Sequence, residues 1–382
     1  MPGKYWLAES EKIRAFESIY KLETEIGRRW YQPIGSASFT FHCKDVTNHG
    51  WAMKSVQKKE KGEVKTVKLG HLLCLDHGNI VRLKEVFEIE SYIYMVSEFI
   101  EGKQLFQYFA GLSELSEILM SNTIKQINCG LLYLHNLKIA HRNLKPNNII
   151  VQQFGNAIIM KISDSAYSTV VGMDMEVELV NGCITYTAPE IFLTHKHGIP
   201  VDMWALGVIL FILVSGKEPF ARSKLQDSIR AILNEDFTFD GPEWEGISFL
   251  CKDLIRRLLS VDPVLRMTAV QTAKHKWIIG EETPKHILPE IPYRLEYFNT
   301  QCNEQTHFLY AMTSMNQAVF WLDNNQLVCS GVATILSLDC AQKSLVDLPT
   351  QKGYRGDGEK EGVLQARLLL QITTNYEIEK HN

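Results

Sequence analysis

The chain has 382 residues, of which 45% are hydrophobic and 22% are charged, and its formal net charge at pH 7 is −4. This composition is ordinary for a globular protein, and the length is enough for two or three domains that each have a core. Because the net charge is weakly negative, electrostatic attraction to nucleic acid or to an acidic membrane surface is not expected.

Eight cysteines are scattered along the chain, without a CxxC pair or a spacing typical of metal ligands. This scatter favours reduced thiols over a disulfide framework, and so indicates a cytoplasmic or nuclear protein. The opening residues, MPGKYWLAESEKIR, have no apolar run behind their positive charge, so a secretory signal is not expected there. The cysteines are Cys43, Cys74, Cys129, Cys183, Cys251, Cys302, Cys329 and Cys340.

The first hundred residues predict strands with one helix among them. Short apolar and β-branched stretches from Tyr20 to Val56 predict strands, and Thr47-Asn48-His49-Gly50 predicts a hairpin turn. Residues 57–75 have helical character, and residues 81–99 return to the alternation of a strand. This part of the chain is therefore expected to form a small strand-rich lobe.

After Gly102 the pattern becomes helical. Apolar residues recur at helical spacing and predict an amphipathic helix that ends just before residue 141. Short apolar runs at 149–151 and 158–162 follow, and beyond Pro200 the chain is mostly helical. The apolar residues of the first helix are Ile124, Ile127, Leu131 and Leu134.

The longest apolar run, Ala205 to Val214, is well short of the roughly 20 residues that a membrane helix requires. It lies in VDMWALGVILFILV, which is apolar nearly all round. We therefore expect a buried core helix and no membrane partner.

Residues 141–148 read HRNLKPNN, a loop with the chemistry to handle phosphate and metal. Lys145 can neutralise phosphate charge, and Asn148 offers an oxygen to a hard cation. Asn143 stands where such a loop would hold a carboxylate, so the loop poses the question of whether the chain is an enzyme.

Eight motifs in a fixed order show which family the chain resembles. It resembles the eukaryotic protein kinases, and among them the calcium/calmodulin-dependent group, from about Phe16 to Ile279. The motifs are IG at 26–27, WAMK at 51–54, HGNIVRLKEVFE at 77–88, HRNLKPNN at 141–148, KISDS at 161–165, TAPE at 187–190, VDMWALGV at 201–208 and LLSVDPVLRMTA at 258–269.

The resemblance implies an α+β bilobal protein-kinase fold with a β-rich small lobe and a helical large lobe. The implied domain spans residues 20–279, divided at about residue 100. Residues 1–19 are then an N-terminal extension, and residues 280–382 are a C-terminal extension of unknown structure.

The resemblance also implies a site for ATP and Mg²⁺. Lys54 corresponds to the lysine that pairs with the α- and β-phosphates, and Lys145 to the lysine that stabilises the transferring phosphate. Asn148 and Asp164 correspond to the two metal-holding positions. The alternatives without a role in ATP binding are an exposed strand lysine for Lys54 and a turn carboxylate for Asp164. The implied ATP-binding residues are Gly27, Gly35, Ala52, Lys54, Glu98, Ile100 and Ile150.

Several positions depart from the family pattern in ways that weaken catalysis. Asn143 replaces the catalytic carboxylate, and an amide is not a usable base near pH 7. Lys68 falls where the acidic partner of Lys54 belongs, so an attractive pair becomes two like charges. Glu63, five residues earlier, lies on a different face of the predicted helix.

The metal motif and the phosphate-covering loop are also altered. Asp-Phe-Gly becomes Asp164-Ser165-Ala166, which removes an aromatic contact between the lobes and the conformational freedom of a glycine. Arg29 to Ile34 separate Gly27 from Gly35, and this long, bulky turn is either a genuine insertion or a gene-model artefact.

The substrate region departs as well, whereas the architectural positions are retained. In NGCITYTAPE, Cys183 and Ile184 replace a threonine and a proline, and the usual activating threonine falls near Leu179. We interpret Cys183 as a small buried residue rather than a reactive thiol. The retained positions are His141 and Arg142, the ion pair of Glu190 with Arg266, and Asp202, which is expected to bind the catalytic-loop backbone.

This pattern predicts a pseudokinase that binds ATP, transfers phosphate poorly or not at all, and works through contacts with other proteins. One alternative is a working Ser/Thr kinase that tolerates Asn143. The other is a purely structural protein that binds no nucleotide.

The tail does not support calmodulin as a partner. Leu295 to Gln342 contains neither Lys nor Arg, so a basic calmodulin-binding helix is not predicted there. AVFWLDNNQLV and GVATILSL are expected to form a small hairpin or to pack on the kinase core, and KGYRGDGEKEG is interpreted as a linker.

Overall fold

The computed structural model describes residues 19–31, 36–57, 72–89, 92–164, 184–194, 198–280, 282–301, 322–323 and 326–327. The chain divides into two compact units, Met1–Asn299 and Thr300–Asn382. The predicted α+β bilobal kinase fold is confirmed in the first unit, which has a β-sheet lobe followed by a helical lobe.

The small lobe is built on one antiparallel sheet of five strands in the order β1-β2-β3-β5-β4. One face of this sheet carries a small core made by Tyr20, Cys43, Met53, Phe87 and Val96. The strands are β1 (Tyr20–Tyr31), β2 (Ser36–Asp45), β3 (Gly50–Gln57), β4 (Leu83–Ile89) and β5 (Tyr92–Glu98).

The predicted turn at residues 47–50 joins β2 to β3. Asp45 accepts hydrogen bonds from the backbone N–H of Thr47 at 2.9 Å and of His49 at 3.1 Å, and from the Thr47 hydroxyl at 2.7 Å. Asn48 adopts a left-handed φ of 66°, a conformation that asparagine tolerates well. The turn therefore forms as its residue types predict.

The large lobe begins with a second sheet, β6-β7-β8, and continues as helices. The strands are β6 (Lys103–Gln104), β7 (Ile149–Phe154) and β8 (Ala157–Ile162). The helices are α1 (Leu105–Ala110), α2 (Glu117–Asn136), α3 (Pro189–Thr194), α4 (Pro200–Ser215), α5 (Leu225–Leu233), α6 (Phe249–Leu258), α7 (Ala269–Ala273), α8 (Lys276–Ile279) and α9 (290–301).

The two helices predicted from periodicity form as expected. The four apolar residues that predicted α2 are fully buried in the main core. Helix α4 is buried along almost its whole length, begins with Pro200 and ends at Gly216, whose φ of 71° terminates the helix. None of the helices in the described part of the chain is both long enough and apolar enough to cross a membrane.

The first unit extends beyond the predicted end of the domain at residue 279. Helix α9 inserts Ile291 and Leu295 into the main core. Asn299 donates a hydrogen bond to the carbonyl oxygen of Phe106 at 3.1 Å, and the rings of Phe106 and Phe298 are 5.6 Å apart. The first twenty residues of the predicted extension are therefore part of this unit, which ends at Asn299.

In the second unit, the described residues are the last two of α9 and one short antiparallel hairpin. Its strands are β9 (Leu322–Asp323) and β10 (Gln326–Leu327), with Leu322 opposite Leu327. The hairpin lies within AVFWLDNNQLV, one of the two segments expected to form a small hairpin or to pack on the kinase core. The segment GVATILSL lies outside the described residues.

Candidate active site

The cleft between the lobes brings together Lys54 and Asp164, which are 110 residues apart in sequence. Lys54 lies on β3, and its Nζ donates a hydrogen bond to Asp164 Oδ2 at 2.9 Å. Asp164 follows β8 and has a left-handed φ of 64°, a conformation that non-glycine residues rarely adopt. The predicted phosphate-binding lysine and the predicted metal ligand therefore face each other across the cleft.

The buried carboxylate of Asp202 holds the backbone of the loop at residues 141–148. Asp202 at the start of α4 accepts hydrogen bonds from the backbone N–H groups of His141 at 2.8 Å and Arg142 at 2.7 Å. Its Oδ2 is also 2.9 Å from Nε2 of His135. These contacts confirm the predicted role of Asp202.

A side-chain hydrogen bond of Asn148 connects the end of the loop at residues 141–148 to its middle. Its side-chain Nδ2 donates to the carbonyl oxygen of Asn143 at 2.7 Å, and Asn148 is fully buried. The Asn148 carbonyl oxygen in turn accepts the backbone N–H of Ser163 at 2.8 Å. Because Ser163 precedes Asp164, this hydrogen bond places the two predicted metal ligands on adjacent segments.

The donor set at this point fits a hard cation. Asp164 supplies a carboxylate and Asn148 an amide oxygen, and Mg²⁺ commonly uses one or two such protein ligands together with substrate phosphates and water. Mg²⁺ would be held by these two residues and would offset phosphate charge. In the described part of the chain, no cluster of three or more His, Cys, Asp or Glu offers another metal site.

Asn143 faces a small pocket of about 60 Å³ beside the 3₁₀ turn Ile184–Tyr186. Of the described residues that line this pocket, only Asp202 carries a carboxylate, and both of its oxygens already accept backbone hydrogen bonds. His141 is engaged at both ring nitrogens, with Nε2 at 2.8 Å from the Ser163 carbonyl oxygen and Nδ1 at 3.3 Å from the Asn143 backbone nitrogen. Among the described residues that line this pocket, none is therefore a ready replacement for a carboxylate at position 143.

The predicted ATP-binding residue Ala52 lies at the centre of a row of residues that crosses three strands. In this row His42 on β2 pairs with Ala52 on β3, and Ala52 pairs with Ser97 on β5. Ile100 follows β5 and Ile150 lies on β7, both half-buried. The positions of His42 and Ser97 were missed by sequence reasoning, since no local pattern relates residues 42, 52 and 97.

The side chain of Glu98 has a structural role. Glu98 Oε1 accepts hydrogen bonds from Lys161 Nζ at 2.8 Å and from the backbone N–H of Arg82 at 2.9 Å. Its own N–H donates to the Arg82 carbonyl oxygen. These contacts engage one oxygen of the Glu98 carboxylate and its backbone N–H, and the contact of Glu98 with ATP stays a prediction. The ion pair with Lys161 was also missed by sequence reasoning.

The phosphate-covering segment differs from the predicted long turn. Gly27 lies inside β1 and pairs with Thr40, and the strands remain paired through Tyr31 and Ser36. Arg29, Trp30 and Tyr31 of the predicted insertion therefore continue β1, and the rest of the insertion, residues 32–34, lies outside the described residues. Gly35 lies outside the described residues, as do Lys68, Glu63, Ser165, Ala166, Leu179 and Cys183.

The buried ion pair predicted in the large lobe is present. Arg266 Nη1 and Nη2 donate to Glu190 Oε1 and Oε2, each at 2.8 Å, which is the bidentate geometry of a strong pair. Arg266 also donates to the carbonyl oxygens of Ser260 and Pro200. The scaffold around the candidate site is therefore intact.

A half-buried carboxyl group that sequence reasoning missed lies next to the 3₁₀ turn Ile184–Tyr186. Burial raises the pKa of Glu218 above its usual range, although a hydrogen bond with Thr185 acts in the opposite direction. Thr185 belongs to the 3₁₀ turn beside the Asn143 pocket. No sequence motif marks Glu218, because its burial depends on how α4 ends.

Comparisons with a family model and with known proteins agree on one family. The family described as protein kinase domain matches residues 20–278. Human calcium/calmodulin-dependent protein kinase type IV is 33% identical over 299 residues, which is 78% of this chain and 62% of that protein. Human serine/threonine-protein kinase H1 is 36% identical over 254 residues, 65% of this chain and 60% of that protein.

The match with a third relative spans a larger share of that relative's length. Myosin light chain kinase A of Dictyostelium discoideum is 32% identical over 267 residues, which is 69% of this chain and 88% of that protein. By contrast, the chain spans about three-fifths of the length of the two human relatives.

Proposed function

As the chain belongs to the protein kinase domain family, with Ser/Thr kinases of the calcium/calmodulin-dependent group as its relatives, we propose that it is a pseudokinase. In this proposal it binds ATP with Mg²⁺, transfers phosphate slowly or not at all, and acts through contacts with other proteins.

Retention of the nucleotide is supported by the geometry of the cleft. Lys54 and Asp164 are in contact, and Asn148 is fixed on the segment next to Asp164. Phosphoryl transfer depends mainly on positioning and on charge neutralisation. Lysine and a metal-binding pair are the groups that hold phosphates in such a site, so binding can persist when catalysis does not.

The loss of efficient transfer rests on one observation, the amide of Asn143. It stands in a loop whose backbone is held by Asp202, with His141 occupied on both nitrogens. An amide oxygen can orient a hydroxyl group but cannot take its proton near pH 7. General-base catalysis contributes about 10² to 10⁴ in rate, so transfer should fall below the kinase range of roughly 1–100 per second by about that factor.

The deciding experiment measures phosphate incorporation from labelled ATP by the native chain and by Asn143→Asp. Asn143→Asp should raise the rate about a hundredfold or more. Asn147→Asp is the matched control, since Asn147 is exposed in the same loop and gains the same charge. A native rate within the ordinary kinase range would overturn the pseudokinase proposal and favour a working kinase, which the intact scaffold would also permit.

Nucleotide binding is tested separately by thermal shift with ATP, with and without Mg²⁺. The melting temperature of the native chain should rise with ATP, and rise further when Mg²⁺ is added, because ligand binding to the native state stabilises it. Absence of any stabilisation at millimolar nucleotide would contradict binding and favour the purely structural reading.

A further inference from the structure

Among its described lining residues, the pocket beside Asn143 has a positive balance of charge. Arg142 and Lys145 are cationic, and Asp202 is the carboxylate of the lining. Both oxygens of Asp202 are engaged by the loop, since they accept the backbone N–H groups of His141 at 2.8 Å and Arg142 at 2.7 Å. The amide of Asn143 adds no charge of its own, so the electrostatic environment of this pocket favours an anion.

The side chain of Asn143 is available to a ligand in this pocket. The hydrogen bonds of Asn143 with other described residues use its backbone, which donates to His141 Nδ1 at 3.3 Å and accepts from Asn148 at 2.7 Å. A carboxylate at this position could only accept hydrogen bonds, whereas an amide also donates them through Nδ2. Thr187 lines the same pocket and adds a hydroxyl donor. The amide therefore makes position 143 able to bind an anion that a carboxylate would repel.

The size of the pocket suits a compact charged group. Its volume is about 60 Å³, and one water molecule requires roughly 10–15 Å³, so a group of a few heavy atoms such as a phosphoryl group can enter. The rest of the lining is mostly apolar, which strengthens the attraction between a cation and an anion inside the pocket. These residues are Leu144, Tyr186, Ala188, Ile191, Val201 and Ala205.

From these observations we propose that the pocket at Asn143 binds the phosphate group of a phosphoserine side chain on a partner protein. The inference rests on the proposed pseudokinase function and names the class of partner that the chain contacts. Lys145 and Arg142 neutralise the charge of the phosphate, and Asn143 Nδ2 and the Thr187 hydroxyl donate to its oxygens. The chain thus recognises a phosphate that another kinase has added.

The test measures the binding of three degenerate peptide mixtures by fluorescence anisotropy, without nucleotide. The mixtures are identical except for a central serine, phosphoserine or glutamate. The native chain should bind the phosphoserine mixture at least about tenfold more tightly than the serine mixture, because a phosphate forms charge-assisted hydrogen bonds that a hydroxyl cannot. The glutamate mixture should bind more weakly than the phosphoserine mixture, and equal affinity for these two would contradict recognition of a phosphate.

Asn143→Asp should weaken the phosphoserine mixture about tenfold or more, since it places a like charge in the pocket, and leave the serine mixture unchanged. Asn147→Asp is the matched control, because Asn147 is exposed in the same loop, gains the same charge and does not line the pocket. It should change the affinity by no more than about twofold, as solvent and salt screen an exposed charge. If Asn143→Asp does not fold, Lys145→Met should give the same loss and Lys145→Arg should retain binding.

The two proposals fail in different ways. If the native chain transfers little or no phosphate but binds the serine and phosphoserine mixtures equally, the inference is wrong and the pseudokinase proposal stands. If the native chain works at ordinary kinase rates, the pseudokinase proposal is wrong, while a phosphoserine preference lost in Asn143→Asp alone still supports the site. An equal loss in Asn143→Asp and Asn147→Asp would assign the preference to the overall charge of the loop and overturn the inference.

Discussion

At residue 143 the hydrogen bonds that hold the loop do not depend on the side chain. The contacts that hold the loop use the backbone N–H groups of His141 and Arg142 and the carbonyl oxygen of Asn143. None of these hydrogen bonds involves the Asn143 side chain. The loop can therefore retain its fold while the side chain that handles the proton is altered.

Glu218 gives a prediction at the same scale, for the pH dependence of stability. Its folded-state pKa is raised above the ordinary value of 4.5 because burial disfavours the charged form. Below the unfolded-state pKa the group is protonated in both states and has no effect. As the pH rises from there through the folded-state pKa, the unfolded state ionises more readily, and the folded state loses stability.

Glu218→Gln should therefore stabilise the protein at pH 7.5, raising the melting temperature by about 1–3 °C. The amide keeps an oxygen that can accept from Thr185, so only the charge is removed. The gain should vanish as the pH falls below about 4.5. Glu245→Gln, at an exposed position in the same lobe, is the control. A gain that is equal at both pH values would contradict this account.

At the scale of elements, the insertion in the small lobe shows how a hairpin absorbs extra residues. Arg29, Trp30 and Tyr31 pair with Ser38, Ala37 and Ser36. This pairing gives Arg29, Trp30 and Tyr31 partners in the ladder, which a wide turn would not provide. The sequence predicted the insertion but not its pairing, because pairing depends on the partner strand.

The contact of Gly102 with β7 gives a prediction for the joint between the lobes. A Cβ at Gly102 would lie 2.4 Å from the Val151 carbonyl oxygen and 2.9 Å from Ile150 Cγ2. Gly102→Ala must therefore displace backbone, at a cost of about 1–3 kcal/mol in the free energy of unfolding. Because Ile150 is a predicted ATP-binding residue, the affinity for ATP should fall as well.

The matched control for this variant is Gly78→Ala, where a Cβ would meet nothing within 4 Å. That substitution should be neutral or slightly stabilising, because it restricts the unfolded chain. Urea unfolding of both variants, followed by circular dichroism, provides the comparison. Equal midpoints for the two variants would show that the close approach to β7 carries no cost.

At the scale of the whole first unit, ion pairs and backbone hydrogen bonds are among the contacts that join the small lobe to the large one. The ion pairs Lys54–Asp164 and Lys161–Glu98 cross between the lobes at 2.9 and 2.8 Å. The backbone N–H of Val81 donates to the Ile162 carbonyl oxygen at 2.8 Å. Contacts from β3, from β5 and from the segment before β4 therefore connect the two lobes across the cleft.

Helix α9 gives the prediction at this scale. Leu295 is fully buried in the main core, whereas Tyr297 on the same helix is 68% exposed. Leu295→Ala should lower the free energy of unfolding by about 2–5 kcal/mol, since it removes buried apolar volume and leaves a cavity. Tyr297→Ala should change it by no more than about 0.5 kcal/mol. Thermal unfolding of the two variants tests whether α9 belongs to the core, and equal melting temperatures would refute it.

The sequence by itself determined the family and the order of the motifs, and it predicted Asn148 and Asp164 as metal ligands. It also determined α2, α4 and the turn at residues 47–50, because periodicity and turn chemistry are local properties. The bilobal fold followed from the motifs, and the amide at position 143, on which the pseudokinase proposal rests, is visible in HRNLKPNN.

Only the tertiary structure decided which distant residues meet. It placed His42 beside Ala52 and Ser97, engaged Glu98 with Lys161, and packed Leu295 of α9 into the core. These contacts join segments tens to hundreds of residues apart, through strand register and side-chain packing. A one-residue change of register would move His42 to the other face of the sheet, and no local pattern in the chain records that choice.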